Sequence, residues 1–105
     1  MRHDVTVFVR IWQYDVATER EAEFVRAYGA DGDWARLFAL SDGYLGTELF
    51  TRAGAPRRYL SVDRFTSVAA WHEFLAEHGT AYAALDQMTE GMTVAEHELS
   101  ATDLA

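Results

Sequence analysis

Residues 27–38 read AYGADGDWARLF, and within this stretch one helical pattern ends and another begins. The first helix is introduced by TERE at 18–21, which has the form of a capping box, with a hydroxyl at the N-cap and a carboxylate three residues later. Gly29 suits the left-handed end of that helix. Either aspartate of the Asp-Gly-Asp that follows can cap a short second helix over 34–40. The stretch therefore predicts a crossover of two helices separated by a tight break.

Four segments have the composition of β-strands. VTVFVRIWQY at 5–14 precedes the two helices and is rich in β-branched and aromatic residues. YLGTELFTR at 44–52 and RRYLSVDRF at 57–65 flank a turn that contains the only proline, so they are predicted to form a hairpin. MTVAEHEL at 92–99 is the last predicted strand, and the tail from about residue 100 is predicted to be loose.

A long helix is predicted between the hairpin and the last strand. Ser67 can cap it, and Gly79-Thr80 is expected to kink or restart it. Its apolar face has helical spacing and comprises Trp71, Phe74, Leu75 and His78. The order β-α-(α)-β-β-α-β is the split βαβ, ferredoxin-like arrangement of an α+β protein. We therefore predict a single domain over residues 1–105, with a four-stranded antiparallel sheet that carries its helices on one face.

The charge and composition exclude several classes of protein. The chain has 105 residues, with 17 acidic and 9 basic side chains and a net charge of −8, so it should repel nucleic acids and anionic membranes. It contains no cysteine, which excludes disulfides, thiolate catalysis and cysteine-ligated metals. No apolar run is long enough to span a membrane. The first residues lack the apolar core of a signal peptide, so we expect a cytoplasmic protein.

Nearly the whole chain resembles the antibiotic biosynthesis monooxygenase (ABM) domain family of dimeric α+β barrel proteins. The resemblance is carried by REAEFVRAYGADGDWARLF, GYLGTELF, RYLSVDRF and AAWHEFLAEHGTAYAALD. It implies a crossover made of a helix, a tight break and a short second helix. It also implies a homodimer whose two sheets pack face to face into a barrel. Some members resemble cofactor-free oxygenases of aromatic polyketides, others resemble haem-degrading enzymes, and many have no known activity.

The sequence does not favour a haem or a metal site. The haem-degrading relatives use an Asn, a Trp and a haem-ligating His. This chain has no Asn, and its similarity to them places Phe74 at the Trp position and Ala84 near the His position. His72 and His78 are six residues apart, about 240° around a helix, so they cannot share one metal ion. We therefore expect no cofactor and no metal.

For the cofactor-free members, the ABM resemblance implies oxygenation of a phenol or anthrone that loses a proton and then reacts directly with O₂. That chemistry needs an aromatic cavity with a few polar groups. His78 and Tyr82 are the catalytic candidates, because both lie on the apolar side of the long helix and a histidine can accept a phenolic proton near neutral pH. Substrate contacts are expected from Trp12, Tyr14, Trp34, Tyr59, Asp63, Trp71 and Phe74.

Several of these interpretations have alternatives that the sequence leaves open. His78 also fits a residue favoured near a helix C-terminus, and Tyr82 fits the core or a pocket wall. Trp34 fits packing between helices and sheet. Asp63 can pair with an arginine or act as a base, and His97 fits a surface or interface position.

The function of the whole protein also has alternatives. It can be a non-catalytic ligand-binding or structural dimer, or an isomerase or cyclase that uses the same fold without O₂. A buried pocket of roughly 300 Å³ or more would favour a ligand over a solid core.

A homodimer is predicted independently, because the first strand is apolar on both faces. One face carries Val5, Val7, Val9 and Ile11, and the opposite face carries Phe8, Trp12 and Tyr14. A sheet covered by helices on one face only should instead have a polar second face. We therefore expect the face that carries Phe8 to form the interface with a second copy, and a small aromatic molecule to be the other partner.

Overall fold

The computed structural model describes residues 7–104 as a sheet of four strands with three helices. The strands are β1 (Val7–Val16), β2 (Tyr44–Thr51), β3 (Arg58–Phe65) and β4 (Thr93–Leu104). The helices are α1 (Glu21–Tyr28), α2 (Asp33–Phe38) and α3 (Val68–Thr89), with single 3₁₀ turns at Thr18–Arg20 and Glu90–Met92. Val5, which belongs to the first predicted strand, lies outside the described residues.

The sheet has the strand order β2-β3-β1-β4, and every pair of neighbouring strands is antiparallel. β2 and β3 form the predicted hairpin. All three helices pack on one face of the sheet, where Phe24, Phe38 and Phe74 join Tyr14 and Phe65 in a single hydrophobic core. The predicted α+β, ferredoxin-like fold is confirmed.

Gly32 allows the chain to end α1 and begin α2 within a few residues. A Cβ at this position would lie 2.5 Å from the carbonyl oxygen of Ala27, so only glycine can approach the last turn of α1 this closely. The two-helix crossover is confirmed, but its predicted caps are wrong. Gly29 is extended (φ −69°, ψ 174°) rather than left-handed, and neither helix has a side-chain cap at its N-terminus.

The last helix and strand differ from the prediction at their ends. Ser67 caps α3 as predicted, because its hydroxyl accepts the N–H of Ala70 at 3.0 Å. The helix is interrupted at His78 (φ −124°, ψ 20°), one residue earlier than predicted, and then continues. β4 does not end near residue 99, because it pairs with β1 along its whole length, across two register shifts. The prediction of a loose tail from about residue 100 is therefore wrong.

The two faces of the sheet are reversed relative to the prediction for the dimer. Phe8 pairs with Phe65, and both are buried beneath the helices, Phe8 with 6% of its surface exposed. Because side chains alternate along a strand, the face away from the helices carries Val9, Ile11, Leu60, Val62 and Phe50. The expectation that Phe8 lies at an interface is therefore wrong. Alternation alone could not orient β1, since both of its faces are apolar.

Candidate functional site

A cavity of about 190 Å³ lies between the helices and the helix-facing side of the sheet. Its aromatic lining comes from β1 and from all three helices: Trp12, Tyr14, Tyr28, Trp34, Phe38 and Tyr82. Trp34 stands in the first turn of α2, with its ring centroid 5.1 Å from that of Tyr82 and 6.0 Å from that of Tyr28. The break between α1 and α2 therefore places a tryptophan between the side chains of α1 and α3.

A row of polar side chains forms the sheet side of the cavity. Arg10 of β1 pairs in register with Asp63 of β3, which pairs with Thr47 of β2, so the three side chains lie next to one another. Nη1 of Arg10 lies 3.6 Å from Oδ2 of Asp63, and each side chain is 8% exposed. The Thr47 hydroxyl donates to Oδ1 of Asp63 at 2.7 Å and accepts from the Tyr44 hydroxyl at 2.6 Å. Each carboxylate oxygen of Asp63 thus has a polar partner.

The guanidinium group of Arg10 packs against two tryptophan rings. Its central carbon lies 4.0 Å from the ring centroid of Trp71 and 6.0 Å from that of Trp12. A cation over an aromatic face recovers part of the interaction with water that it loses on burial. Trp71 does not itself line the cavity, but it holds the cation that does.

Burial raises the pKa of Asp63, whereas the hydrogen bond from Thr47 and the charge of Arg10 oppose this rise. A carboxylate with a raised pKa binds a proton more tightly than an exposed aspartate, so it is the stronger base. A buried base in an aromatic cavity is suited to removing a proton from a weakly acidic ligand.

The tyrosines of the cavity, unlike Asp63, do not act as bases at neutral pH. Burial raises the pKa of Tyr14 and of Tyr82, although Arg10 opposes the rise at Tyr82. Burial also raises the pKa of Tyr28 to about 12, despite the hydrogen bond that its hydroxyl donates to Thr89. These phenols stay protonated at neutral pH, so they can position a ligand but are not bases there.

Ser61, Asp86 and Glu96 complete the lining. Asp86 of α3 and Glu96 of β4 are exposed, so they stand where the cavity opens to solvent. We call this pair the mouth. The mouth is acidic, whereas the buried sheet side of the cavity carries the Arg10–Asp63 pair.

The unsatisfied polar atoms of the described residues are concentrated at this cavity. Within residues 7–104, the buried side-chain polar atoms that lack a hydrogen-bond partner are Nε1 of Trp12, Nε1 of Trp34 and Oγ of Ser61. All three residues line the cavity. An unpaired buried polar group costs about 1–3 kcal/mol, and an indole N–H can only donate. Trp34 and Ser61 lie close enough to Tyr28 and Tyr14 to lower the pKa of those phenols, but neither forms a hydrogen bond of normal geometry. A ligand with acceptor oxygens would satisfy these groups.

The structure brings together only part of the predicted site. The predicted residues that line the cavity are Trp12, Tyr14, Trp34, Asp63 and Tyr82. Four others lie outside the lining: Tyr59 donates its hydroxyl to Glu21 at 2.6 Å, Phe74 is fully buried in the core, Trp71 supports Arg10, and His78 packs its ring 5.5 Å from that of Phe74. The geometry therefore does not support the catalytic role predicted for His78.

The most important residue that the sequence prediction missed is Arg10. It stands between Phe8 and Trp12 on the helix-facing side of β1, where a charged side chain needs a buried partner. A lone arginine among apolar residues of a predicted strand, with an aspartate in the middle of another strand, is a signal for such a pair. The prediction weighed an arginine partner for Asp63 without naming it.

Two features are absent from the described part of the chain. Residues 7–104 contain no group of three or more His, Cys, Asp or Glu side chains that could hold a metal ion. No helix in the same range is both long enough and apolar enough to cross a membrane.

The fold of the chain is that of solved structures named as antibiotic biosynthesis monooxygenases, as the resemblance predicted. A presumed antibiotic biosynthesis monooxygenase from Nitrosomonas europaea is similar with a TM-score of 0.70 and 10% identity, over 100% of this chain and 94% of that chain. A presumed monooxygenase from Lactobacillus acidophilus gives a TM-score of 0.72 at 15% identity, over 96% of this chain and 46% of that chain.

Proteins of another named family also have this fold. A NIPSNAP family protein from Agrobacterium tumefaciens gives a TM-score of 0.64 at 12% identity, over 94% of this chain and 91% of that chain. No family model and no curated protein matches the chain. The likeness to these solved structures therefore shows the fold alone.

Proposed function

We propose that the chain binds a small phenolic aromatic molecule in the cavity and oxygenates it with O₂, without a cofactor. The observation that carries this proposal is the buried Arg10–Asp63 pair inside an aromatic enclosure. The pair offers a base and a cation at the same end of the cavity, and the indole N–H groups of Trp12 and Trp34 offer hydrogen bonds to a ligand oxygen.

The size of the cavity narrows the substrate class. Its volume of about 190 Å³ is below the roughly 300 Å³ that would by itself favour a ligand over a solid core, so the proposal rests on the polar groups of the cavity rather than on its size. A cavity of about 150 Å³ accommodates benzene, so this one encloses one or two fused rings. The three-ring anthrone expected from the resemblance exceeds that space and would extend past the mouth. We therefore favour a substrate of the size of a naphthol.

The proposed reaction divides its roles among the lining residues. Asp63 accepts the phenolic proton and becomes neutral, so the charge of Arg10 is free to stabilise the oxyanion that forms at the same time. The electron-rich ring of the phenolate then supplies the electrons that reduce O₂. One oxygen atom enters the ring and the other leaves as water, so that α-naphthol and O₂ give naphthoquinone and water. The aromatic walls limit the access of water to the anion.

Oxygen consumption tests this proposal directly. The purified protein with α-naphthol should consume one O₂ per quinone formed, at a rate proportional to protein concentration. Asp63→Asn should lower the turnover rate roughly 100-fold or more, because it removes the base but keeps an oxygen that can accept the Thr47 hydrogen bond. His78→Ala is the matched control, and it should stay within about threefold of the unaltered protein because His78 lies outside the cavity.

The outcome also separates the alternatives. Binding of α-naphthol without O₂ uptake would favour a non-catalytic ligand-binding protein. Exchange or rearrangement of substrate protons in the absence of O₂ would favour an isomerase or cyclase. A loss of turnover in His78→Ala, with Asp63→Asn unaffected, would contradict the assignment of the base.

A further inference from the structure

The charged groups of the cavity are unequally distributed between its interior and its mouth. In the interior, Arg10 and Asp63 offset each other's charge, because they form a buried ion pair at 3.6 Å. The two carboxylates of the mouth have no such partner, since within residues 7–104 neither Asp86 nor Glu96 takes part in an ion pair. The lining as a whole therefore has one cation and three carboxylates, with the excess negative charge at the mouth.

The negative charges of Asp86 and Glu96 act on the tyrosines that line the cavity. Burial is the main cause of the raised pKa of Tyr28, and the charges of Glu96 and Asp86 add to it. Glu96 acts in the same direction on the pKa of Tyr14, and Asp86 on that of Tyr82, after burial in both cases. A negative charge on a ligand inside the cavity would be opposed by the same two carboxylates.

As long as Asp63 is ionised, Arg10 does not compensate for this opposition, and a ligand that arrives as an anion has no phenolic proton step to neutralise Asp63 first. Its guanidinium already faces Asp63 and lies against Trp71. A ligand carboxylate that reached Arg10 would have to compete with Asp63, which is held in place by Thr47. The unpaired groups of the interior, the indole N–H of Trp34 and the hydroxyl of Ser61, instead suit the oxygen of an uncharged phenol or ketone.

We infer that the cavity selects uncharged phenolic ligands over otherwise identical ligands that carry a carboxylate, and that Asp86 and Glu96 are the selecting residues. This inference rests on the proposed function, because it concerns the ligand of the same cavity. Two unit charges interact appreciably over a few ångströms near a protein surface. Two carboxylates at the mouth should therefore discriminate by about tenfold or more in the dissociation constant.

The test compares two probes by isothermal titration calorimetry at pH 7. The probes are α-naphthol, which is uncharged at this pH, and a hydroxynaphthoic acid, which adds one carboxylate to the same ring system. The unaltered protein should bind α-naphthol at least about tenfold more tightly. The double variant Asp86→Asn with Glu96→Gln should reduce the ratio to about threefold or less, mainly by tightening the binding of the acid.

Two controls make the result specific. Glu73→Gln with Glu77→Gln changes the net charge equally at exposed positions of α3 that do not line the cavity, and it should leave the ratio unchanged. In the unaltered protein, 1 M salt should also reduce the ratio, because exposed carboxylates are screened at that ionic strength.

The outcomes distinguish this inference from the proposed function. Equal binding of the two probes, or an unchanged ratio in the Asp86→Asn, Glu96→Gln variant, would overturn the inference and leave the proposed function standing. If neither probe bound to the unaltered protein, the proposed function itself would fail, and the inference with it.

Discussion

Asp63 is the residue whose protonation should govern the pH dependence of the reaction. A base must be ionised to accept a proton, so activity should fall as the pH is lowered through the pKa of Asp63. Burial raises that pKa above the ordinary value of 3.8. The acid limb of the profile should therefore lie above pH 3.8, and it should be absent from the residual activity of Asp63→Asn.

Thr47→Val should move the acid limb of the pH profile to higher pH. The Thr47 hydrogen bond stabilises the ionised form of Asp63 and so lowers its pKa. Without the hydroxyl, the pKa of Asp63 should rise, and the acid limb of kcat/KM should shift to higher pH while the plateau at higher pH is largely kept. A uniform loss of activity at all pH values, with no shift of the limb, would contradict this role of Thr47.

Only part of the site could be predicted at the scale of single residues. Trp34 and Tyr82 were identifiable because each lies on the apolar side of its own predicted helix. The burial of Arg10 was not predictable, because it depends on the register of β1 against β3 and on Trp71 from a helix far along the chain. His78 packs against Phe74 on the apolar face of α3, as predicted, but it lies outside the cavity lining, so its catalytic role stays a prediction.

At the scale of the elements, Gly32 determines where α2 begins. Gly32→Ala would place a Cβ against the carbonyl groups of the last turn of α1, which have little freedom to move. We expect the substitution to lower the free energy of unfolding by about 2 kcal/mol, as crowding of a packed site does. Urea denaturation followed by circular dichroism measures this difference.

Gly79 provides the matched control for Gly32. It lies inside α3 with no atom near the position of an added Cβ. Gly79→Ala should therefore raise the free energy of unfolding by roughly 0.5–1 kcal/mol, because alanine loses less conformational freedom in a helix. If Gly32→Ala proved as stable as the unaltered protein, the close contact at the crossover would not be real.

The capping box predicted at 18–21 does not cap α1, because backbone hydrogen bonds, one of them to a distant residue, determine the local conformation there. The backbone N–H of Ala17 donates to the carbonyl of Met92, and the N–H of Arg20 donates to the carbonyl of Ala17, each at 2.9 Å. These bonds turn the chain into a 3₁₀ turn over Thr18–Arg20 before α1 begins. Thr18 therefore lies too early to cap α1, and Arg20 pairs with Glu23 instead.

At the scale of the whole molecule, the sheet face opposite the helices should form a homodimer. It carries Ile11, Leu60 and Phe50, which are partly exposed, Phe50 with 46% of its surface, beside the buried Val9 and Val62. A contiguous apolar patch of this kind marks an interface, and the ABM resemblance implies a second copy. Sedimentation at micromolar concentration should report a dimer of the 11.9 kDa chain.

Phe50→Glu should convert that dimer to a monomer, because a carboxylate would be buried without a partner in a self-complementary interface. Met88→Glu is the control, since Met88 on α3 is 69% exposed and lies away from this face. A folded, monomeric unaltered protein would refute the interface, and so would equal dissociation by both variants.

The most direct test of the central claim, cofactor-free oxygenation in the cavity, is mass spectrometry of the product formed from α-naphthol under isotopically labelled O₂. The proposed reaction predicts naphthoquinone with one labelled oxygen atom, formed at full rate by the purified chain without any added cofactor and lost in Asp63→Asn. Labelled water supplied with ordinary O₂ should leave the product unlabelled. Product that took its new oxygen from water, or no quinone above the rate without protein, would contradict the claim.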